Sequence, residues 1–448
     1  MPAFVALLLS SIIVNFAIGV RVAHAVAVNE RPVATRWLTL GIVFDLGLLA
    51  YFKYADFFVA NVNAALGTHW NIGRVILPIG ISFYTFTQIA YLVDTWRAKV
   101  RETNPIHYGL FVTYFPHLVA GPVLHHAQMM PQFALPSIYR FNTANAAAGL
   151  AIIAIGLFKK VVLADGMSPY ADAVFKAADG GAVPEAGEAA LATLAYTLQL
   201  YFDFSGYSDM AVGLSWLFNI RLPFNFDSPY RATSISDFWR RWHISLSNFL
   251  RDYLYIALGG NRHGRVRRYA NLAATMVLGG LWHGAGWSFV FWGALHGAYL
   301  MVNHGFRALC GNRVSERLHA NHLYKLLGWV LTMTAVMFAW VFFRAETLPG
   351  ALRMIQALLG AGSADGQWMH LLNSGLDART GWLWCAVLSA LACLMPNSNR
   401  IGTRLRDAAR DGSLACGFLT GMTMLLAVML VVVNETRDAV SAFIYFNF

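Results

Sequence analysis

The sequence predicts an all-α, polytopic membrane protein, and three observations support this fold class. Of its 448 residues, 57% are hydrophobic and only 12% are charged, a composition too apolar for a soluble enzyme. Apolar runs recur along the whole chain, each near the roughly 20 residues that one membrane span needs. Basic residues gather in the short connections between these runs, as is typical of membrane proteins. We expect about nine to eleven spans, from runs at 3–20, 37–60, 75–93, 108–124, 146–164, 189–220, 272–303, 325–343, 381–395 and 414–434.

The first run is interpreted as a retained helix and not as a secretory signal, because it lacks a basic start and a cleavage site followed by a polar domain. The net charge of +10 indicates contact with anionic lipid headgroups and not with nucleic acid. The basic connections cannot all face the cytoplasm if every intervening run crosses once, so some runs should be re-entrant or interfacial. These connections contain Arg21, Arg31 and Arg36; Arg97, Lys99 and Arg101; Arg262, Arg265, Arg267 and Arg268; and Arg400, Arg404, Arg406 and Arg410.

The segment 235–258, "ISDFWRRWHISLSNFLRDYLYIAL", is predicted to form one amphipathic interfacial helix. Apolar and aromatic residues alternate in it with charged ones, which places Trp239 and Trp242 at headgroup depth. Ser234 or Ser236 is positioned to cap its first turn.

Two other segments carry unusual residues at membrane depth. Proline and glycine interrupt 108–124, "YGLFVTYFPHLVAGPVL", and broken helices are tolerated there only where they line a cavity or are buried in protein. We expect this segment to line a cavity. Asp203 and Asp209 lie in the aromatic stretch 199–209, where an acidic residue either pairs with an arginine, caps a backbone break or contacts substrate or donor.

The stretch "LGGLWHGAGWSFVFWGALHGAYL" (278–300) places two histidines in an apolar run. His283 lies between glycines that allow backbone or substrate to approach its ring, whereas His296 and His117 are interpreted as packed, hydrogen-bonded residues. With His243 nearby, His283 could take a proton from an attacking hydroxyl while the second ring orients substrate or stabilises a thioester carbonyl oxygen. The spacing does not match a helical metal site, so no metal is expected.

These residues lie in segments that resemble the bacterial alginate O-acetylase branch of the membrane-bound O-acyltransferase (MBOAT) family. The resemblance runs to the closing "FIYFNF" (443–448) and is most specific over 223–297. Related chains usually have further apolar sequence ahead of the part that matches 1–22, so either a leading helix or two is absent here or the true start lies upstream. The helix count and the orientation of the N-terminus stay open between these alternatives. The matching segments are "LPIGISFYTFTQIAYLVDTWR" (77–97), "FPHLVAGPVL" (115–124), "LQLYFDFSGYSDMAVGL" (198–214), "PFNFDSPYRATSISDFWRRWHISLSNFLRDYLYIALGGNR" (223–262) and "GLWHGAGWSFVFWGALHG" (280–297).

The resemblance implies a single MBOAT domain over 1–448, with a ring of helices around a central funnel. His283 in "LWHG" matches the family's invariant histidine, and His243 matches the second active-site position. The acyl donor would be cytoplasmic, with acetyl-CoA expected, and no cofactor would stay bound. Acetyl groups would reach an extracytoplasmic polysaccharide such as alginate, directly or through a periplasmic or membrane-anchored partner of hydrolase-like fold, from the bacterial inner membrane.

Within this framework, His283 is expected to be the general base on the acceptor hydroxyl, and His243 to orient the donor or stabilise the carbonyl oxygen. The arginines of 262–268 either attract CoA phosphates or serve topology and lipid contact. Further contacts to substrate or donor are expected from Asp203, Trp239, Arg240, Trp242, Asn261, Arg262 and Trp282.

Two alternatives remain open from the sequence. The same architecture moves D-alanine to teichoic acid or acetyl to peptidoglycan, and the motifs do not separate these acyl groups and acceptors. A transporter is the alternative from a different class, because broken helices and intramembrane acids also mark substrate pathways, although the chain shows no internal repeat at half its length.

Overall fold

The computed structural model describes residues 2–73, 75–118, 121–362 and 368–411, together with residues 417, 421–425, 428–429 and 432. All regular elements among these residues are helical, which confirms the predicted all-α class. The helices are α1 (Pro2–Ala27), α2 (Arg31–Leu49), α3 (Ala55–Leu66), α4 (Ile81–Trp96), α5 (Pro105–Thr113), α6 (Phe115–Leu118), α7 (His126–Phe133), α8 (Thr143–Phe158), α9 (Asp165–Asp179), α10 (Ala186–Leu217), α11 (Ile235–Arg241), α12 (Ile244–Phe249), α13 (Gly264–His283), α14 (Trp287–Ala320), α15 (His322–Arg344), α16 (Leu348–Gln356), α17 (Met369–Asn373), α18 (Ala378–Leu394) and α19 (Ser398–Arg410). π-Helical turns occupy Ala50–Tyr54, Lys159–Ala164, Leu250–Tyr255 and Ala357–Ala361.

Long apolar helices make the chain a multi-pass membrane protein. Four helical stretches of the described residues are long and apolar enough to cross a membrane: Pro2–Ala27, Arg31–Leu66, Thr143–Asp179 and His322–Arg344. A fifth candidate is the pair α18 and α19, which is bent by 54°. The number of predicted runs is larger, because some of them form short or divided helices; α4, for example, has only 16 residues. The run 414–434 lies mostly, and 443–448 wholly, outside the described residues.

The chain divides into two compact units, Met1–Ala146 with Leu214–Pro223, and Ala147–Gly213 with Phe224–Phe448. In the first unit, α1, α2 and α4 pack at close range through glycines. A Cβ on Gly19 would lie 2.3 Å from the Tyr91 ring, and one on Gly41 would lie 2.4 Å from Leu92 Cδ1. Small residues let apolar helices approach each other in this way. The predicted single domain and its ring of helices around a funnel remain predictions.

A chain of buried polar side chains also connects these three helices. Asn15 donates to Asp45 at 2.7 Å, and Gln88 donates to Ser11 at 2.9 Å. Tyr108 of α5 donates to Gln88 at 3.3 Å. Such contacts hold apolar helices in one register, because a polar group left alone in hydrocarbon is costly.

The segment 108–124 is broken as predicted. Helix α5 ends at Thr113, Tyr114 is extended (φ −60°, ψ 98°), and the short α6 follows. The buried His117 ring stacks on that of Tyr114 at 6.1 Å, which confirms the packing but not the hydrogen bonding predicted for this side chain. The segment borders an open, largely apolar cleft of about 260 Å³ in the first unit, which confirms that it lines a cavity. The lining residues are Leu110, Thr113, Tyr114, Phe115, Phe133, Ile138, Tyr139, Phe218 and Ile220.

In the second unit, glycines bring α10 against the helical stretch that ends in the π-turn Lys159–Ala164. A Cβ on Gly156 would lie 2.5 Å from the carbonyl oxygen of Gly206, and one on Gly213 would lie 2.5 Å from that of Gly149. The equal seven-residue spacing of the two glycine pairs keeps the two helices in contact over two turns. This contact places the π-turn beside the acidic residues of α10.

Helices α13 and α14 form a tight hairpin that carries His283 at its bend. A Cβ on Gly280 would lie 2.2 Å from the carbonyl oxygen of Phe289, and one on Gly293 would lie 2.4 Å from that of Met276. The predicted run 272–303 is therefore two helices, divided at residues 284–286. The close crossing fixes the end of α13, and with it the position of His283.

We expect the substitution Gly280→Ala to lower the free energy of unfolding by about 1–3 kcal/mol, because its methyl group meets rigid backbone. Thermal unfolding of the purified protein in detergent measures this effect. Gly305→Ala on α14 is the matched control, since a Cβ there meets nothing within 4 Å and the helix gains an alanine. Equal destabilisation by both substitutions would contradict the tight crossing.

Candidate active site

His243 lies at a sharp break in the segment predicted as one interfacial helix. Ser234 caps α11 by accepting a hydrogen bond from the amide of Asp237 at 3.2 Å. The helix ends at Arg241, Trp242 is extended (φ −101°, ψ 128°), and His243 adopts the left-handed conformation (φ 42°, ψ 54°) before α12 begins. The prediction of one continuous helix over 235–258 is therefore wrong.

The two residues at the break, Trp242 and His243, both bury their rings. The Trp242 ring packs 5.1 Å from that of Phe226 and 5.0 Å from that of Trp340, and the His243 ring lies 4.7 Å from that of Phe204. Trp242 is only 2% exposed, so its ring is enclosed by protein, whereas its predicted position at headgroup depth stays a prediction.

His283 is the last residue of α13, and aromatic rings surround it. The centroids of Trp282, Trp292 and Phe343 lie 5.0, 5.1 and 5.2 Å from its own. Gly284 follows in an extended conformation, and a Cβ there would lie 2.1 Å from the Phe289 ring. The glycine beside His283 thus admits the Phe289 side chain of the same hairpin, whereas the predicted approach of backbone or substrate to the His283 ring stays a prediction.

The structure brings His243 and His283 together from separate segments of the second unit. Their ring centroids are 6.5 Å apart, which exceeds the separation of two hydrogen-bonded imidazoles but allows both rings to contact one reacting group. Helices α11 and α12, of seven and six residues, are too short to cross a membrane. Burial lowers the pKa of His243 between them to about 3, so this ring is neutral at physiological pH.

His296 occupies a different environment from His283. It is fully buried, and its Nδ1 accepts a hydrogen bond of 3.3 Å from Trp239 Nε1. Its ring also stacks on that of Phe238 at 6.2 Å. The prediction that His296 is a hydrogen-bonded packing residue is confirmed. Trp239, which was predicted to contact substrate or acyl donor, donates this hydrogen bond.

Asp203 and Asp209 of α10 pair with lysines of the π-turn. Lys160 Nζ lies 2.5 Å from Asp165 Oδ1 and 3.0 Å from Asp203 Oδ1, and all three side chains are at most 4% exposed. Lys159 Nζ lies 2.7 Å from Asp209 Oδ2. The partner of each acid is thus a lysine, and the predicted arginine is wrong, because the helix beside α10 carries lysines at this level. A contact of Asp203 with substrate or donor stays a prediction.

The other predicted contact residues differ in exposure. Trp282 is buried beside His283, whereas Arg240, Asn261 and Arg262 are exposed. Asn261 accepts a hydrogen bond from the Tyr255 hydroxyl. The structure therefore places Trp282 at the histidine pair, and it places the other three on the surface.

Arg240 belongs to a basic patch on α11, α13 and α14, which we define as Arg240, Arg268 and Arg307 around His304. An Arg268 guanidinium nitrogen lies 3.2 Å from His304 Nδ1. Burial and the positive charges of the three arginines lower the pKa of His304, which follows the apolar part of α14. Arg307 and His304 were missed from the sequence, although His304 directly follows the predicted run 272–303 and Arg307 lies three residues further, about one helical turn.

Comparison with known proteins is consistent with this arrangement. The sequence model described as "MBOAT, membrane-bound O-acyltransferase family" matches residues 97–343, a range that contains both histidines. The chain belongs to this family. It is therefore an O-acyltransferase, and the inferred resemblance to the family is confirmed.

Relatives within the family differ in the reactions for which they are named. A peptidoglycan O-acetyltransferase of Helicobacter pylori is 37% identical over 99% of this chain and 88% of its own length. A probable alginate O-acetylase, AlgI, of Pseudomonas aeruginosa is 44% identical over 89% of this chain and 74% of its own length. A teichoic acid D-alanyltransferase of Bacillus subtilis is 27% identical over 61% of this chain and 70% of its own length.

Proposed function

We propose that this membrane O-acyltransferase moves an acetyl group from acetyl-CoA on the cytoplasmic side of the bacterial inner membrane to hydroxyl groups of an extracytoplasmic polysaccharide such as alginate. The observation that carries the proposal is the pairing of His243 with His283 at 6.5 Å within an aromatic, buried setting. Acetylase names among relatives at 37% and 44% identity support the acetyl group.

His283 acts as the general base in this proposal. It takes the proton of the acceptor hydroxyl, the oxygen attacks the thioester carbonyl, and a tetrahedral oxyanion forms. The carbon–sulfur bond then breaks, and the CoA thiolate takes the proton back from the imidazolium. His243, which is neutral, donates a hydrogen bond to the carbonyl oxygen. The acceptor hydroxyl belongs either to the sugar or to a serine of a periplasmic partner of hydrolase-like fold.

The basic patch holds the phosphates of CoA in this proposal, because guanidinium groups bind phosphate strongly and in a fixed geometry. We expect Arg268→Gln with Arg307→Gln to raise KM for acetyl-CoA about tenfold, since a hydrogen bond to a charged group contributes about 1.5–3 kcal/mol. Steady-state release of free thiol from reconstituted protein measures this effect.

S-acetylpantetheine provides an internal control, because this thioester lacks the nucleotide phosphates. Its KM should stay within about twofold of that of the unaltered protein. Arg404→Gln with Arg410→Gln on α19 is the matched control for the loss of two positive charges. A phosphate role for the patch would be excluded if both thioesters lost affinity equally, or if neither did.

The acceptor is tested in the source bacterium. Deletion of the gene should remove acetyl esters from the exported polysaccharide and leave acetyl on peptidoglycan and D-alanyl esters unchanged. Restoration by the intact gene, but not by a His283→Ala form that is present in the membrane, would support the proposal. Full acetylation of the polysaccharide after deletion would refute it.

Acetyl transfer to peptidoglycan is the second candidate, since the Helicobacter pylori relative of that name covers 99% of this chain. In the same experiment this function predicts loss of acetyl from peptidoglycan alone. D-alanyl transfer to teichoic acid, the name of a relative at 27% identity, predicts loss of D-alanyl esters. Membership of an acyltransferase family leaves the transporter alternative without support.

A further inference from the structure

Asn225 accepts three hydrogen bonds from the two residues that follow His243 in the turn. Its carbonyl oxygen accepts a bond of 2.9 Å from the amide of Ile244. Its side-chain Oδ1 accepts bonds from the Ser245 hydroxyl at 2.6 Å and from the Ser245 amide at 3.3 Å. Asn225 is only 2% exposed, so water does not compete for these bonds.

The same segment holds the turn on its other side and is itself held by α10. The amide of Asp227 donates to the carbonyl oxygen of Arg241 at 2.9 Å, so residues 225–227 bond the chain both before and after Trp242 and His243. Asn225 Nδ2 in turn donates to the Ser208 hydroxyl of α10 at 3.4 Å. The turn is thereby fixed to a long helix.

The turn needs such a clamp because of its conformation. A residue with a Cβ loses about 1–2 kcal/mol in the left-handed region relative to the right-handed one. His243 holds this conformation at φ 42°. Three hydrogen bonds to one buried asparagine, each contributing about 0.5–1.5 kcal/mol, are sufficient to offset that cost.

We propose that Asn225 is a positioning residue that holds the His243 ring opposite His283 during acyl transfer. The inference rests on the proposed function, and it assigns Asn225 no contact with substrate. Its effect on the reaction passes entirely through the ring of His243.

A double-mutant cycle tests this dependence in the full-length protein reconstituted in lipid. Asn225→Ala should lower kcat for acetyl transfer about tenfold and leave KM for acetyl-CoA within about twofold. In a His243→Ala background the same substitution should change kcat by less than about twofold. If Asn225→Ala and His243→Ala lowered kcat independently, so that their effects multiplied, the proposal would be overturned. If Asn225→Ala does not accumulate, Ser245→Ala removes the 2.6 Å bond and enters the same cycle.

Hydrogen–deuterium exchange gives a readout that does not depend on activity. Asn225→Ala should speed exchange of the peptide amides over 241–249. The matched control is Asn399→Ala, because Asn399 donates to the carbonyl oxygen of Phe226 but not to the turn. If Asn225→Ala left the exchange unchanged, the proposed role of Asn225 would be overturned, even if the protein were inactive. If the exchange rose as expected but the wild-type protein showed no acetyl transfer, only the proposed function would be contradicted.

Discussion

Substitution of His283 by alanine is expected to lower acyl transfer at least about a hundredfold without loss of folded protein. General acid–base catalysis by a placed side chain contributes about 10²–10⁴-fold, and alanine offers no group that can accept the proton. The rings of Trp282, Trp292 and Phe343 pack around the imidazole, and these three side chains remain in the variant. Acetyl transfer per folded molecule, with the folded fraction measured by size-exclusion chromatography in detergent, gives the result.

His296→Ala is the matched control, because it removes a buried imidazole from the other arm of the same hairpin. We expect it to lower thermal stability, since Trp239 loses the acceptor for its Nε1 proton. Its activity per folded molecule should fall less than about tenfold. A His283→Ala protein that keeps its activity, or a His296→Ala protein that loses as much, would refute the assignment of the base.

Replacement of Lys160 by methionine should have the largest effect on stability. It leaves the carboxylates of Asp165 and Asp203 buried beside each other without their shared cation. Removal of one partner from a buried ion pair costs about 3–5 kcal/mol, because the remaining charge is neither solvated nor paired. Thermal unfolding in detergent should show the loss, and the variant should accumulate poorly in membranes.

Lys176→Met on α9 is the control for loss of a lysine, because that side chain is exposed. The further change Asp203→Asn in the Lys160→Met background should restore part of the stability, since it removes one of the two neighbouring buried negative charges. Asp203→Asn alone also separates the two roles considered for this acid. If it raised KM for acetyl-CoA without a change in stability, the structural role would be wrong.

The fold class and the packing role of His296 could be predicted from the sequence, whereas the role of His283 as the base stays a prediction. The apolar composition predicts that the chain lies in a bilayer. Because a bilayer allows few backbone arrangements, apolar runs are expected to form helices there. The glycines around His283 indicated a close approach there, and Gly284 admits the Phe289 side chain, not the backbone or substrate that was expected. A neighbour relation between His243 and His283 was also expected from the short connection between their segments.

The break at Trp242 and the partners of the intramembrane acids could not be predicted in the same way. No glycine or proline marks the break, and the ring contacts of Trp242 come from distant segments such as the one that carries Trp340. The pairing of Lys160 with Asp203 depends on which helix packs against α10. The periodicity of the sequence does not show which helices pack together. Asn225 was missed because its bonds lie across space and not along one helix.

The π-turn Lys159–Ala164 has a consequence for how this sequence aligns with its relatives. A π-turn accommodates one residue more than the α-helical path would, without a change in the helix on either side. Deletion of one residue from this turn would restore a regular α-helix and rotate everything after it by about 100° relative to α8. A single-residue gap at this point in a relative therefore indicates the loss of the π-turn, and α9 of such a relative would present a different face to its neighbours.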